Sequence, residues 1–155
     1  MRILIDADGC PVVDITIGLA QQYHTECFIL CDTAHCLERA GATTLTFSTG
    51  TDSVDFALVN LLQKGDVVIT QDYGLAAMCL AKRAYPLNQD GMAYTADNID
   101  ALLLARHTAR KIRQAGGRLK GPPKRTAAQD EAFAQKLNEL LQSAKPCGDF
   151  YGQEK

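Results

Sequence analysis

The chain has 155 residues, 46% hydrophobic and 22% charged, which is the size and balance of one globular domain and excludes a disordered, collagen-like or disulfide-scaffold design. With no tryptophan and 6% aromatic residues, base-stacking platforms are not an expected theme. The net charge of −2 hides a division, because residues 1–100 hold thirteen acids and five bases while residues 101–155 hold eleven bases and five acids.

Residues 2–5 are a short apolar run that meets an aspartate, and they predict a first strand. That run is too short for a secretory leader, and no apolar stretch nears the roughly 18 residues of a membrane span. A cytoplasmic protein with no membrane partner is expected. Apolar residues at helical spacing over 12–23, just after Pro11, predict a helix. Residues 27–31 read as a second strand, 33–40 as a short helix stopped by Gly41, and the β-branched alternation of Thr43–Phe47 as a third strand. Residues 52–63 place Val54, Leu58, Leu61 and Leu62 on one helical face. Gly65 and Asp66 turn the chain into Val67-Val68-Ile69-Thr70, a continuous apolar run of the kind found in central parallel strands. A helix over 73–82, a short strand at Tyr85–Leu87 and a longer helix at Ile99–Gln114 follow. Gly116-Gly117 and Gly121-Pro122-Pro123 bound a basic loop, and 126–143 form a closing helix. This alternation predicts an α/β fold: a central parallel sheet with right-handed crossovers, helices on both faces and a helical C-terminal extension. Residues 1–145 are expected to be one domain and 146–155 a loose tail.

The six cysteines, at 10, 27, 31, 36, 79 and 147, read as free and mostly buried thiols. His24, Cys27, Cys31, His35 and Cys36 match no common zinc spacing.

The aspartates carry more. Asp6 and Asp8 follow the first strand and Asp72 the central one, while Asp52 and Asp55 follow the third strand three residues apart, on one face of a helix start. Each has a local reading as well. Asp52 with Asp55 reads as a cap and dipole-stabilising first turn, Asp72 as a helix N-cap and Asp8 as a turn residue. Asp14, Asp66, Asp97 and Asp100 are assigned local roles only. Open parallel sheets bind ligands at the carboxyl ends of their strands, so three separate segments should deliver carboxylates to one edge. Carboxylates held together repel and raise one another's pKa unless a cation neutralises them, and oxygen donors suit a hard divalent ion, Mg²⁺ or Mn²⁺. In this reading Asp6 and Asp72 are direct ligands, and Asp8, Asp52 or Asp55 completes the shell or orients the water. Thr70, Ser48 and Thr49 are candidates for contacts to phosphate oxygens. Such a cluster activates water and stabilises phosphoryl charge.

Arg106, Arg110, Lys111, Arg113, Arg118, Lys120, Lys124 and Arg125 fall within twenty residues that contain no acid. That segment reads either as an ordinary solvated surface or as a grip on a phosphate backbone. Together the acids and bases suggest a metal-dependent phosphodiesterase acting on nucleic acid.

Several motifs resemble the YaiI/YqxD family of bacterial proteins. They are Ile5-Asp6-Ala7-Asp8-Gly9-Cys10-Pro11, Thr51-Asp52-Ser53-Val54-Asp55, the run from Gly65-Asp66 through Gln71-Asp72-Tyr73-Gly74, Tyr94-Thr95-Ala96-Asp97-Asn98-Ile99, and Gly121-Pro122-Pro123 before a helix with Asp130 and Phe133. The resemblance runs through nearly the whole chain. It implies a PIN-like domain, similar in fold to metal-dependent ribonucleases, with an acidic Mg²⁺ or Mn²⁺ site on a parallel sheet and RNA as the partner. By position Asp6 matches the acid closing the first strand, Asp8 the polar residue two later, Asp52 or Asp55 the helix acid and Asp72 the acid after the central strand. Asn88 stands where a fourth acid is often found, with Asp90 close by. Gly9 replaces a frequent Ala, and Lys124-Arg125-Thr126 is a more basic version of the usual segment. Two alternatives remain. Asp6-x-Asp8 also resembles the opening of haloacid-dehalogenase-type phosphatases, with Asp6 as nucleophile, and the scaffold could equally serve a non-catalytic RNA- or metal-binding protein.

Overall fold

Strand β1 (Ile3–Asp6) sends Ile3 and Ile5 to one face and Leu4 to the other, and all three are fully buried. The same alternation runs through β2 (Cys27–Asp32) and β4 (Val67–Ile69), which flank β1. With β3 (Thr43–Phe47) and β5 (Tyr85–Leu87) they form one parallel sheet in the order β3-β2-β1-β4-β5. The computed structural model describes residues 1–35, 37–49, 53–117 and 124–143, and within these it contains five helices: α1 (Val13–Gln22), α2 (Ser53–Leu61), α3 (Tyr73–Ala81), α4 (Ile99–Gln114) and α5 (Ala127–Ser143). The expected α/β architecture with helices on both faces is the observed one.

Helices α1 and α5 pack against each other and cover Ile3, Ile5, Ile29, Val67 and Ile69. On the opposite face, Leu58 and Leu62 at α2 with Leu75 and Cys79 of α3 cover Leu4, Leu30 and Val68. Each large apolar side chain buried in this way contributes roughly 1.5–3 kcal/mol. Phe133, Leu137 and Leu141 of α5 are all buried in the first core, so the closing helix is a layer of the fold rather than an appendage. Helix α4 packs on the outside of α3 through Ile99, Leu102 and Leu103. No helix among the described residues is long and apolar enough to cross a membrane.

The expected helix over 33–40 is not formed in its described part. Residues 33–35 make a turn, and 37–39 have no regular structure. The carbonyl of Leu37 accepts a hydrogen bond from Thr44 Oγ1 at 2.8 Å, and Arg39 reaches Asp14 at 3.1 Å, so tertiary partners replace helical ones in a segment too short to nucleate a helix alone. A second correction concerns Asp66, whose role is tertiary rather than local. It is 2% exposed and accepts from Arg2 N at 3.0 Å, the Arg2 guanidinium at 2.8 Å and Gln63 N at 2.9 Å, which ties β1 to the start of β4 at the amino edge of the sheet. Cys27, Cys31 and Cys79 are buried free thiols and Cys10 a half-buried one, with burial pushing Cys27 and Cys79 up to about 12. Cys36, Cys147 and the expected loose tail lie outside the described residues.

Candidate functional site at the carboxyl edge of the sheet

The chain builds outward from β1 to β2 and β3, then returns to β4 on the other side of β1. The order reverses there, so a crevice opens outside the carboxyl ends of β1 and β4, the usual ligand position in open parallel sheets. Asp6 is the last residue of β1, and Thr70 directly follows β4. Thr70 is 1% exposed. Its hydroxyl donates to Asp6 Oδ2 at 2.9 Å and accepts from Asp72 N at 3.0 Å, while its carbonyl accepts from the Tyr94 hydroxyl at 3.1 Å. Thr70 is therefore the post from which both aspartates are set. The expectation that it touches phosphate is corrected, since its hydroxyl is buried and already bonded on both sides.

Asp72 is the N-cap of α3, and its Oδ1 accepts from Gly74 N at 2.8 Å and Leu75 N at 3.1 Å. The local reading of this residue is correct, yet the same side chain also lines the crevice. Arg106 of α4 reaches over to the same oxygen at 3.4 Å. On the other side, Gln71 Nε2 donates to Gly9 O at 2.8 Å and pins the loop carrying Asp8 to the loop carrying Asp72. Gly9 holds φ +67°, a left-handed conformation that an Ala would adopt only under strain.

The resulting cleft has a volume of about 490 Å³, and Asp6, Asp8, Asp32, Asp55, Asp72 and Arg106 stand along its wall. Burial pushes the Asp6 carboxyl above its ordinary range, the Thr70 hydroxyl pulls it back, and the charges of Asp72 and Asp8 push it up again. Two groups were missed by sequence reasoning. Asp32 closes β2 as Asp6 closes β1, and its Oδ1 accepts from His35 N at 2.7 Å and lies 2.9 Å from His35 Nδ1. The imidazole beside it holds Asp32 below the usual carboxylate range, and Asp32, with Asp8 further off, pushes His35 above its own. The available signal is an acid at a strand's carboxyl end. It is hidden because the apolar run stops at Cys31, one residue short of the strand's end, and because His35 stands in a Cys- and His-rich stretch that draws attention to zinc.

Other expected residues are distributed differently. Asp52, Arg118 and Lys120 lie outside the described residues. Ser48 and Thr49 are exposed and are not part of the cleft wall. Asn88 Oδ1 accepts from Asp90 N at 2.9 Å and Met92 N at 2.8 Å, so it closes the turn after β5 and brings no fourth polar group to the cleft. Arg125 is held by its own fold, its guanidinium donating to Asp130 at 2.7 Å, Asp90 at 2.7 Å and Gln89 O at 2.6 Å. Arg110, Lys111, Arg113 and Lys124 are exposed. Arg106, Arg110 and Arg113 share one row of α4, which continues from the cleft the stripe begun by Ile99, Leu102 and Leu103.

Among the described residues no three His, Cys, Asp or Glu side chains gather closely enough to cage a metal ion. The donor set of Asp6 and Asp72 nonetheless fits Mg²⁺ or Mn²⁺ in kind. These ions take oxygen, and Mg²⁺ is usually held by one or two carboxylates together with waters and substrate phosphate rather than by a protein cage.

The amino-acid sequence matches the family described as "Uncharacterized BCR, YaiI/YqxD family" over residues 4–143. It is 55% identical over 141 residues to a UPF0178 protein of Exiguobacterium sibiricum, covering 91% of this chain and 96% of that one. It is 46% identical over 147 residues to a UPF0178 protein of Clostridium acetobutylicum, covering 94% and 99%. A UPF0178 protein of Ruminiclostridium cellulolyticum is 48% identical over 137 residues, covering 88% and 90%. No solved structure matches the chain. The motifs that resembled a family at the level of residues therefore belong to it, and this chain is a member of the YaiI/YqxD family.

Proposed function

We propose that the protein is a Mg²⁺- or Mn²⁺-dependent nuclease that hydrolyses phosphodiester bonds of RNA, as the PIN-like resemblance implies. The observation that carries this reading is the pairing of Asp6 and Asp72 through one buried threonine, at the point where the strand order reverses, with Arg106 beside them. Asp6 and Asp72 would hold the divalent ion, with Asp55 or Asp52 as a further donor. An ion bound there supplies Lewis-acid stabilisation of the charge that develops on the phosphoryl oxygens. The chain's own groups do the rest. Thr70 fixes the carboxylate of Asp6, and the N-terminus of α3 fixes that of Asp72, so neither has to reorganise during reaction. Arg106, long-bonded to Asp72 and 55% exposed, can exchange that carboxylate for a phosphate oxygen. The row Arg106, Arg110, Arg113 extends for about 10 Å along the helix and offers charge to the neighbouring phosphates of a strand. Asp8, on its glycine-supported loop, is available to orient water.

The phosphatase alternative is less well supported, since no lysine stands on the cleft wall among the described residues. The test is cleavage of single-stranded RNA with added Mn²⁺ by wild type, Asp6→Asn and Asp72→Asn. Metal-dependent cleavage by wild type is expected. Each variant should lose more than the 10–100-fold typical when only an outer partner of a metal site is removed. Equal cleavage by all three would identify a contaminant, and RNA retention without cleavage by any would favour a binding protein.

A further inference from the structure

We propose that His35 is the general acid of the reaction, protonating the leaving ribose oxygen, with Asp32 as the residue that orients it. The inference rests on the nuclease reading and deepens it.

His35 and Asp32 line the cleft from the β2 side of β1, opposite Asp72 on the β4 side. Asp8 lies near both walls, since its charge acts on Asp6 and on His35. The turn after β2 is already closed by the backbone bonds from His35 N to Asp32 Oδ1 and to Asp32 O, so it does not need the imidazole. The ring nonetheless bonds Asp32 through Nδ1, leaving Nε2 without a protein partner among the described residues. A carboxylate on one ring nitrogen fixes the tautomer and orientation and favours the charged imidazolium, which leaves the other nitrogen with a proton to give. His35 is 63% exposed on its side chain and reachable by a substrate, and Asp32 at 27% is the better held of the two. The other charged groups on the cleft wall are Asp6, Asp8, Asp55, Asp72 and Arg106.

The step balances without another reactant. Water oxygen bonds to phosphorus, and the bond from phosphorus to the ribose oxygen breaks with its electron pair left on that oxygen. The oxygen takes the proton from His35 Nε2. The proton lost by the attacking water passes to solvent, which later reprotonates the imidazole.

The test compares RNA with bis(p-nitrophenyl) phosphate, whose leaving group departs as a stable anion and needs no proton. Both are assayed with Mn²⁺ for wild type, His35→Gln and Asp32→Asn. His35→Gln is expected to lose about 10²–10⁴-fold on RNA and to keep the activated diester rate. In wild type, RNA cleavage should fall as pH rises through the His35 titration. Asp32→Asn, lacking the group that raises it, should move that fall to lower pH. NMR titration of the metal-free protein provides an independent reading: His35 should titrate above the ordinary histidine value of 6.5, and Asp32→Asn should lower it. Wild type active but His35→Gln unchanged on RNA, or equally impaired on both substrates, overturns the inference alone. Wild type inert on both substrates overturns the nuclease reading and the inference with it.

Discussion

Asp6 shows how one side chain can work against the fold that holds it. Its carboxyl titrates above its ordinary 3.8 in the folded protein, chiefly through burial. A group raised in this way contributes stability that is complete below its ordinary value and lost as pH rises through the raised one. Metal-free Asp6→Asn, which cannot ionise and can still accept from Thr70, should therefore melt above wild type at pH 7. The advantage should shrink as pH falls towards 4, and thermal melts across that range check the sign. Thr70 carries the opposite weight. Thr70→Val leaves the Asp72 backbone N–H without its buried acceptor and Asp6 without its donor, a loss of about 1–3 kcal/mol. That corresponds to roughly 2–12 °C in melting temperature for a chain of this size, and Thr70→Ser should restore most of it. A threonine after a strand reads from sequence as an exposed hydroxyl. Only the pairing of β1 with β4 turns it into a buried bridge, which is why its role was not legible there.

Among the elements of the described residues, apolar periodicity located every strand and every helix to within a residue or two, and added one helix that is not formed. Each of those segments needs its own buried stripe, and the stripe is written in the residues themselves. The exception, 33–40, has the composition of a helix but spends its backbone and side chains on Thr44 and Asp14, partners distant in sequence. The basic segment divides in the same way. The number of Lys and Arg residues could not separate Arg125, which staples α5 to the turn after β5, from Arg110 and Arg113, which share the exposed row of α4. Replacing Arg110 and Arg113 by Ala should reduce the slope of log K against log salt for single-stranded RNA by about 1.4, at roughly 0.7 for each phosphate no longer neutralised. Arg125→Ala should leave that slope alone and lower the melting temperature instead. Filter binding at several salt concentrations, with melts in parallel, distinguishes the two. An unchanged slope in the double variant would remove α4 from the binding surface.

At the scale of the molecule the two edges of the sheet hold their acids differently. Carboxylates crowd the carboxyl edge, while at the amino edge Asp66 is matched by Arg2 and two backbone N–H groups. Asp66→Ala strands the half-buried guanidinium of Arg2, and removal of one partner from a buried pair costs about 3–5 kcal/mol. A fall of roughly 6–20 °C in melting temperature is expected, and calorimetry on wild type and variant measures it. The convergence of Asp6 and Asp72 was legible from acids standing at the carboxyl ends of two apolar strands and from the family resemblance, but the Asp32–His35 pair required the true end of β2. The threonine bridge joins positions 64 apart in sequence. During synthesis on the ribosome β1 and β2 emerge long before β4, so Asp6 waits without its counterpart until α3 has also left the exit tunnel. Assembly of the acidic cleft is thus a late event of folding, since it requires β4 to dock on a strand made 64 residues earlier.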